Sequence, residues 1–399
     1  MVCNTTEQNS KKTILILGYY GNANTGDEAI LSCMLNQLRD IYPDMEFCVL
    51  SGNTDFTSKM HKTASLPNIL PSNYVRYIIG MLGRNRVNFI NTLNRIKESS
   101  ALIVVGGGLF FDKPAKNKYL LEFLGKISWM KKSGKTINVI GVGVGPLYEN
   151  KSKIALRKIL NTVDLITVRD NESKEALNQI GVSNPETYIT GDIAILLEPS
   201  PSKQIVEIMK GEKLTADKNP VIAISIRGSD VQNPMLKKSI IKFCRYATEQ
   251  YNAQIWFFPF QFSGNDDDRP GIRTLENEFG ENNNVFFLYK EKSPMDILGL
   301  FSKADIVIGE RFHSIIFSII AQKPFIGISY LPKVERLFSE IGHKEWCVNL
   351  DNIDEDSLIK RFDNIWIEKD EIKLELADIL ISLRKKALLN FEILSKKAT

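Results

Sequence analysis

The chain of 399 residues carries a formal net charge of +4, with 43% apolar and 25% charged residues. That balance belongs to a folded globular protein, and so small a charge excludes a nucleic-acid binder that works by neutralising many phosphates. A length beyond about 250–300 residues predicts two domains instead of one core.

The polar start "MVCNTTEQNSKK" shows no secretory signal. The longest clean apolar run, "SIIFSIIA" at 314–321, falls well short of the roughly 18–20 residues that span a bilayer. The expectation is a cytoplasmic protein without a transmembrane segment, with room for peripheral contact at the inner face of the membrane. Cysteines at 3, 33, 48, 244 and 347 are scattered, odd in number and lack a Cys-x-x-Cys pair, so free thiols are expected.

Apolar strands alternate with helical stretches through the first half: "TILILG" (13–18), "EFCVLSG" (46–52), "ALIVVGG" (101–107), "INVIGVGVG" (137–145) and "LITVR" (165–169). Continuous apolar strands separated by helices predict an α/β fold, with a doubly wound parallel sheet covered on both faces. The stretch 53–100 is poorly patterned and reads as room for a loop. Prolines and charges around 197–219 mark a linker. A second series follows in "VIAISIR" (221–227), "QIWFFPF" (254–260), "NVFFLY" (284–289), "ADIVIG" (304–309) and "FIGISY" (325–330). The predicted organisation is a Rossmann-like domain over 1–196, the linker 197–219, a second Rossmann-like domain over 220–353, and helices over 354–399 that cross back to the first. Two such domains would face a ligand cleft at the carboxyl ends of their strands.

The first glycine loop, "GYYGNANTGDEAIL" (18–31), has the Gly21-to-Gly26 spacing of a phosphate loop. It places Asp27 and Glu28 where that loop needs Lys and Ser or Thr, which argues against a nucleotide there. Two readings stand: Asp27 caps the following helix, or Asn22, Asn24, Gly26 and Asp27 meet sugar hydroxyls. Further glycines close strands in "VVGGGLFFD", where Gly107 and Gly108 allow close backbone or ligand approach, and in "GVGVGPL".

The richest constellation is "ADIVIGERFHSIIFSIIAQKPFIGISYLPKVERLF". Its strand–helix–strand–helix order brings Arg311 and His313 to one helix start and Lys333 to another, where free N–H groups also attract anions. The competing reading is a core histidine and a surface lysine. Arg169 and Arg227 end strands and suit carboxylate or phosphate, although Arg169 beside Asp170 also reads as a structural ion pair. Arg157 lies on a helix and on spacing alone reads as solvated. "NDDDR" (265–269) reads as a loop and helix cap, and no metal site is expected from the scattered histidines.

Taken together, "GYYGNANTGDEAIL", "VVGGGLFFD", "GVGVGPL", "VRDNES" and "GERFHSIIFSIIAQKPFIGISYLPK" resemble the polysaccharide pyruvyl transferases, including those acting on bacterial cell-wall polymers. The resemblance implies a GT-B-like fold and transfer of pyruvate from phosphoenolpyruvate to a hexose as a cyclic ketal. It implies no cofactor beyond phosphoenolpyruvate as co-substrate, and a glycan acceptor that is free or lipid-linked. Catalytic roles then fall to His313, Lys333 and Asp27. Donor binding falls to Arg311, Arg227, Arg169, Arg157 and Ser314, and acceptor binding to Asn22, Asn24, Gly26, Gly107 and Gly108. A GT-B glycosyltransferase using a nucleotide sugar, and a non-catalytic glycan- or anion-binding module, are the alternatives.

Overall fold

The computed structural model describes residues 12–83, 85–216, 219–280 and 282–397. Cys3 and the polar start lie outside them. The chain separates into two units, one of Met1–Gly21, Ile30–Ile193 and Lys386–Thr399, the other of Asn22–Ala29 and Ala194–Lys385.

The first unit is built on β1 (Thr13–Leu17), α1 (Thr25–Ile41), β2 (Glu46–Ser51), α2 (Thr54–His61), β3 (Ala64–Pro67), α3 (Tyr74–Leu82) and α4 (Arg86–Glu98). It continues with β4 (Ser99–Val105), α5 (Lys118–Lys132), β5 (Thr136–Val142), α6 (Asn150–Leu160), β6 (Leu165–Val168), α7 (Asn171–Gln179) and β7 (Thr187–Ile189). Its strands form one parallel sheet in the order β3-β2-β1-β4-β5-β6-β7. The sequence specifies this arrangement because strands such as "TILIL" are buried along their whole length, which only a sheet covered on both faces allows. Leu15, Leu17, Val104, Ile127, Val139 and Leu156 are among the residues of its core. The stretch 53–100, expected as room for a loop, instead contains α2, β3, α3 and α4.

The second unit contains α8 (Ser202–Gly211), β8 (Val221–Ser225), α9 (Pro234–Tyr251), β9 (Gln254–Phe257), α10 (Arg269–Phe279), β10 (Val285–Phe287) and α11 (Pro294–Phe301). After these come β11 (Ile306–Gly309), α12 (Phe312–Ile320), β12 (Phe325–Ser329), α13 (Pro332–Glu340), β13 (Cys347–Asn349), α14 (Ser357–Ile367) and α15 (Lys369–Lys397). The sheet order is β10-β9-β8-β11-β12-β13, again parallel.

The stretch expected as a linker contains α8, whose Ile205 and Met209 are buried one helical turn apart. A stripe so thin was hidden by the charges around it. Of the helices expected over 354–399, α14 and most of α15 count with the second unit, and residues from Lys386 onward count with the first. There Asn390 is fully buried. It accepts from the Thr167 and Thr190 hydroxyls at 2.5 and 2.8 Å and donates to the Gly191 carbonyl at 3.1 Å.

Candidate functional site

Three neighbouring strands of the second sheet, β8, β11 and β12, run parallel and end at one edge, which is where ligands meet doubly wound sheets. After β11 the chain passes through Glu310 and Arg311 into α12. The Ser314 amide and hydroxyl both donate to the Arg311 carbonyl, at 2.8 and 2.5 Å, which closes the first turn and sets Phe312 and His313 within it. After β12, Tyr330 and Leu331 lead to Pro332, whose fixed φ and missing N–H suit the first position of α13. Lys333 follows in that first turn.

These strand ends assemble a cationic and aromatic cluster. The Arg227 guanidinium carbon lies 4.3 Å from the Tyr330 ring centroid. The Lys333 ammonium lies 5.7 Å from the centroids of both Tyr330 and Phe312. The His313 ring stands perpendicular to Phe312 at 5.4 Å. A cation over an aromatic face is held without being neutralised, so Lys333 remains able to attract an anion, while Arg227 shares its charge with Asp230. Arg227 is oriented by Asp230, which accepts from its Nη1 at 2.8 Å.

Glu310 is fully buried, and its carboxylate accepts the Arg227 backbone N–H at 2.7 Å. Burial, and then the adjacent Asp230, push the Glu310 carboxyl well above the usual carboxylate range. Asp230 is also desolvated, but hydrogen bonding from Glu310 and the charge of Arg227 leave it below its ordinary value. Glu310 therefore holds a proton while Asp230 stays ionised against Arg227.

Asn22–Ala29 of the first glycine loop belong to this unit. Thr25 N–H donates to the Phe260 carbonyl and Phe262 N–H to the Ala23 carbonyl, each at 2.9 Å. Gln261 and Ser263 donate to the Asn22 carbonyl at 2.8 and 2.6 Å. A Cβ at Gly26 would overlap the His313 imidazole. Gly26 is thus the seat of the His313 ring, and the loop expected on the first domain as an acceptor wall packs instead on the histidine expected to act on the donor. Asn24 does not present its amide to a ligand: its Nδ2 donates to Gln261 at 2.7 Å and its Oδ1 accepts the Asp27 N–H at 3.0 Å. Asn24, not Asp27, therefore caps α1. Asp27 is half-buried in the first turn.

Several expected donor ligands are committed elsewhere. Arg311 turns onto the fully buried Asp268 and the Asp266 carbonyl, and Asp268 also accepts N–H groups from Gly228, Phe260 and Gln261. Arg311 is a structural ion pair, and Ser314 spends its hydroxyl on the helix turn. Arg169 is buried in the first unit, with Nη1 3.0 Å from Asp192 and Nε 3.3 Å from Asp170. Arg157 lies on an exposed face of α6. Gly107 is packed backbone to backbone against Gly143, while Gly108 faces open space; both lie in the first unit. Arg227, His313, Lys333, Gly26 and Asp27 also fall in the second unit, where Arg227 pairs with Asp230 at 2.8 Å and Asp266 at 3.7 Å. In "NDDDR", Asp267 pairs with Arg269 and Asp268 stands at the start of α10. Among the described residues no group of three His, Cys, Asp or Glu is placed to hold a metal ion, and no helix is long and apolar enough to cross a membrane.

Tyr330, Phe312, Glu310 and Asp230 escaped the sequence reading. Tyr330 alone left a signal, standing at a strand end three positions before Lys333.

The family model of polysaccharide pyruvyl transferase matches residues 24–332. The amylovoran biosynthesis protein AmsJ of Erwinia amylovora is 20% identical, over 91% of this chain and 94% of its own. Among solved structures, UDP-GlcNAc 2-epimerase from Neisseria meningitidis bound to UDP-GlcNAc is similar, with a TM-score of 0.62 at 15% identity over 96% of this chain and all of its own. A glycosyltransferase from Rickettsia africae reaches a TM-score of 0.63 at 12% identity, over 98% and 99% of the two chains. At these identities the solved structures identify the fold, two parallel-sheet α/β units of the GT-B type, and do not identify the reaction.

Proposed function

The chain belongs to the polysaccharide pyruvyl transferase family, and from that membership we propose that it transfers pyruvate from phosphoenolpyruvate to a sugar as a cyclic ketal, releasing phosphate. The acceptor is a polysaccharide or its lipid-linked precursor. One observation carries this reading. Arg227 and Lys333 flank the Tyr330 ring at the carboxyl edge of the second sheet, with His313 on the adjoining Phe312. A donor with one carboxylate and one phosphate fits two cations of different shape, the fork of Arg227 and the point charge of Lys333.

In the proposed reaction His313 gives a proton to the donor methylene, which becomes the methyl group. One sugar hydroxyl adds to the central carbon and loses its proton. The C–O bond to phosphate then breaks, with Arg227 and Lys333 stabilising the departing charge. The second hydroxyl closes the ketal and loses its proton, so the two hydroxyl protons balance the one on the methyl group and the one on phosphate. Asp27, one residue from the glycine that seats His313, is the proposed acceptor of a hydroxyl proton.

The test is phosphate release from phosphoenolpyruvate with a panel of free and lipid-linked hexosides. His313→Ala is expected to lower kcat by about 10²–10⁴, and Lys333→Ala to raise the KM for phosphoenolpyruvate. Thermal stabilisation by UDP or GDP sugars, with none by phosphoenolpyruvate, would instead favour a glycosyltransferase. An Asp27→Asn protein with full turnover and unchanged sugar affinity would remove Asp27 from the scheme.

A further inference from the structure

Helix α3 inverts the usual arrangement of a surface helix. Its Tyr74, Ile78 and Leu82 repeat every fourth residue, and Val75 and Ile79 form the adjoining row. All five point outward, with Leu82 82% and Tyr74 71% exposed. No residue of α3 is fully buried. The opposite side is the one that packs, through Tyr77 on Trp129 at 5.2 Å and on Phe89 at 5.9 Å. Val87, at the start of α4, extends the outward patch and is 71% exposed. An apolar stripe of this size is seldom left against water on a globular domain.

The segment itself carries charge of one sign, although Arg76 pairs with Glu122 at 2.8 Å and Arg95 with Glu46 and Glu98 at 3.4 and 3.3 Å. From residue 56 to residue 97 the sequence contains seven cations, Lys59, Lys62, Arg76, Arg84, Arg86, Arg95 and Lys97, and no Asp or Glu. Beside α3 lies a cavity of about 510 Å³ lined by Arg76, Ile79, Phe89, Glu122 and Lys126 among others. Burial, opposed by Glu122 and reinforced by Arg76, lowers the Lys126 ammonium below its ordinary value. The cavity thus joins apolar walls to the Lys126 ammonium and to the Arg76–Glu122 ion pair.

We propose that the outward face of α3, with the start of α4, docks on the surface of an anionic lipid bilayer. The apolar stripe would enter the boundary between headgroups and acyl chains while the surrounding cations meet the headgroups, as interfacial helices do. Because the whole chain is only +4, the attraction comes from this segment's own excess of cations. The inference rests on this surface and not on the pyruvyl-transfer reading, so either can fail without the other.

The test is flotation of the full chain with phosphatidylglycerol-containing vesicles and with neutral phosphatidylcholine vesicles. Binding is expected to the anionic vesicles, weakening as salt rises. The double variant Ile78→Ser/Leu82→Ser should lose at least about tenfold in partition while keeping the parent's thermal midpoint, because both side chains are exposed. Absence of flotation by the parent, or equal flotation by the variant, overturns the proposal. So does a parent that sediments as a dimer, fails to float and becomes monomeric on the double substitution, since a second copy would then cover the face.

Discussion

A methyl group at Gly26 would fall where the His313 imidazole sits, and Gly26 is not among the glycines with a positive φ, so the glycine is required by space alone. Gly26→Ala is therefore expected to displace the ring and lower turnover at least tenfold, at a stability cost of about 1–3 kcal/mol from overpacking. Steady-state kinetics beside urea denaturation checks both parts, and unchanged turnover would show that the ring position is unimportant. Glu310 offers a second test. Its carboxyl is held protonated in the folded chain by burial and by Asp230, whereas the unfolded chain releases that proton near the ordinary value of about 4.3. Above that pH the folded state binds more protons than the unfolded one, so this group's contribution to stability falls as pH rises towards the raised folded value. Glu310→Gln keeps a neutral donor towards Asp230 without titrating. Its stability relative to the parent should increase from pH 5 to pH 8, measured by denaturation at each pH, and a pH-independent difference would rule out the buried proton.

The helix starts show what local sequence can and cannot convey. The strand–helix–strand–helix order around His313 and Lys333 was legible because the apolar runs are unbroken and Pro332 marks its helix start. The fate of Arg311 was not, because Asp268 stands 43 residues away in sequence. Neither was the role of Asn24, whose amide is matched to Gln261 across 237 residues. Helix α3 escaped for a different reason: with its apolar residues facing outward, the pattern gives no inward stripe to read. The Asp268 carboxylate, at the start of α10, gathers Arg311 from the start of α12 and the backbone N–H groups of Gly228, Phe260 and Gln261. Asp268→Ala should therefore cost about 3–5 kcal/mol, since it leaves a buried guanidinium uncompensated. A urea midpoint within error of the parent's would contradict that assignment.

Across the whole molecule, each unit draws on chain segments far apart in sequence. The first unit takes in Ala387, Asn390, Phe391 and Leu394, all buried, and Asn390 satisfies Thr167, Thr190 and the Gly191 carbonyl at once. Asn390→Ala is expected to lose about 1–3 kcal/mol, because it strands buried hydroxyls and a carbonyl, and calorimetry would register the fall. The second unit in turn takes in Asn22–Ala29, through the backbone bonds to Phe260 and Phe262. This interleaving sets an order on biosynthesis. Domains commonly fold one after another as the nascent chain lengthens. Here residues 22–29 must wait for a partner made more than two hundred residues later, and Thr167, Thr190 and Gly191 of the first unit wait for Asn390. Because each unit includes a segment remote in sequence, neither completes its packing on one continuous stretch of nascent chain, and the histidine takes its seat on Gly26 only once β11 has been made.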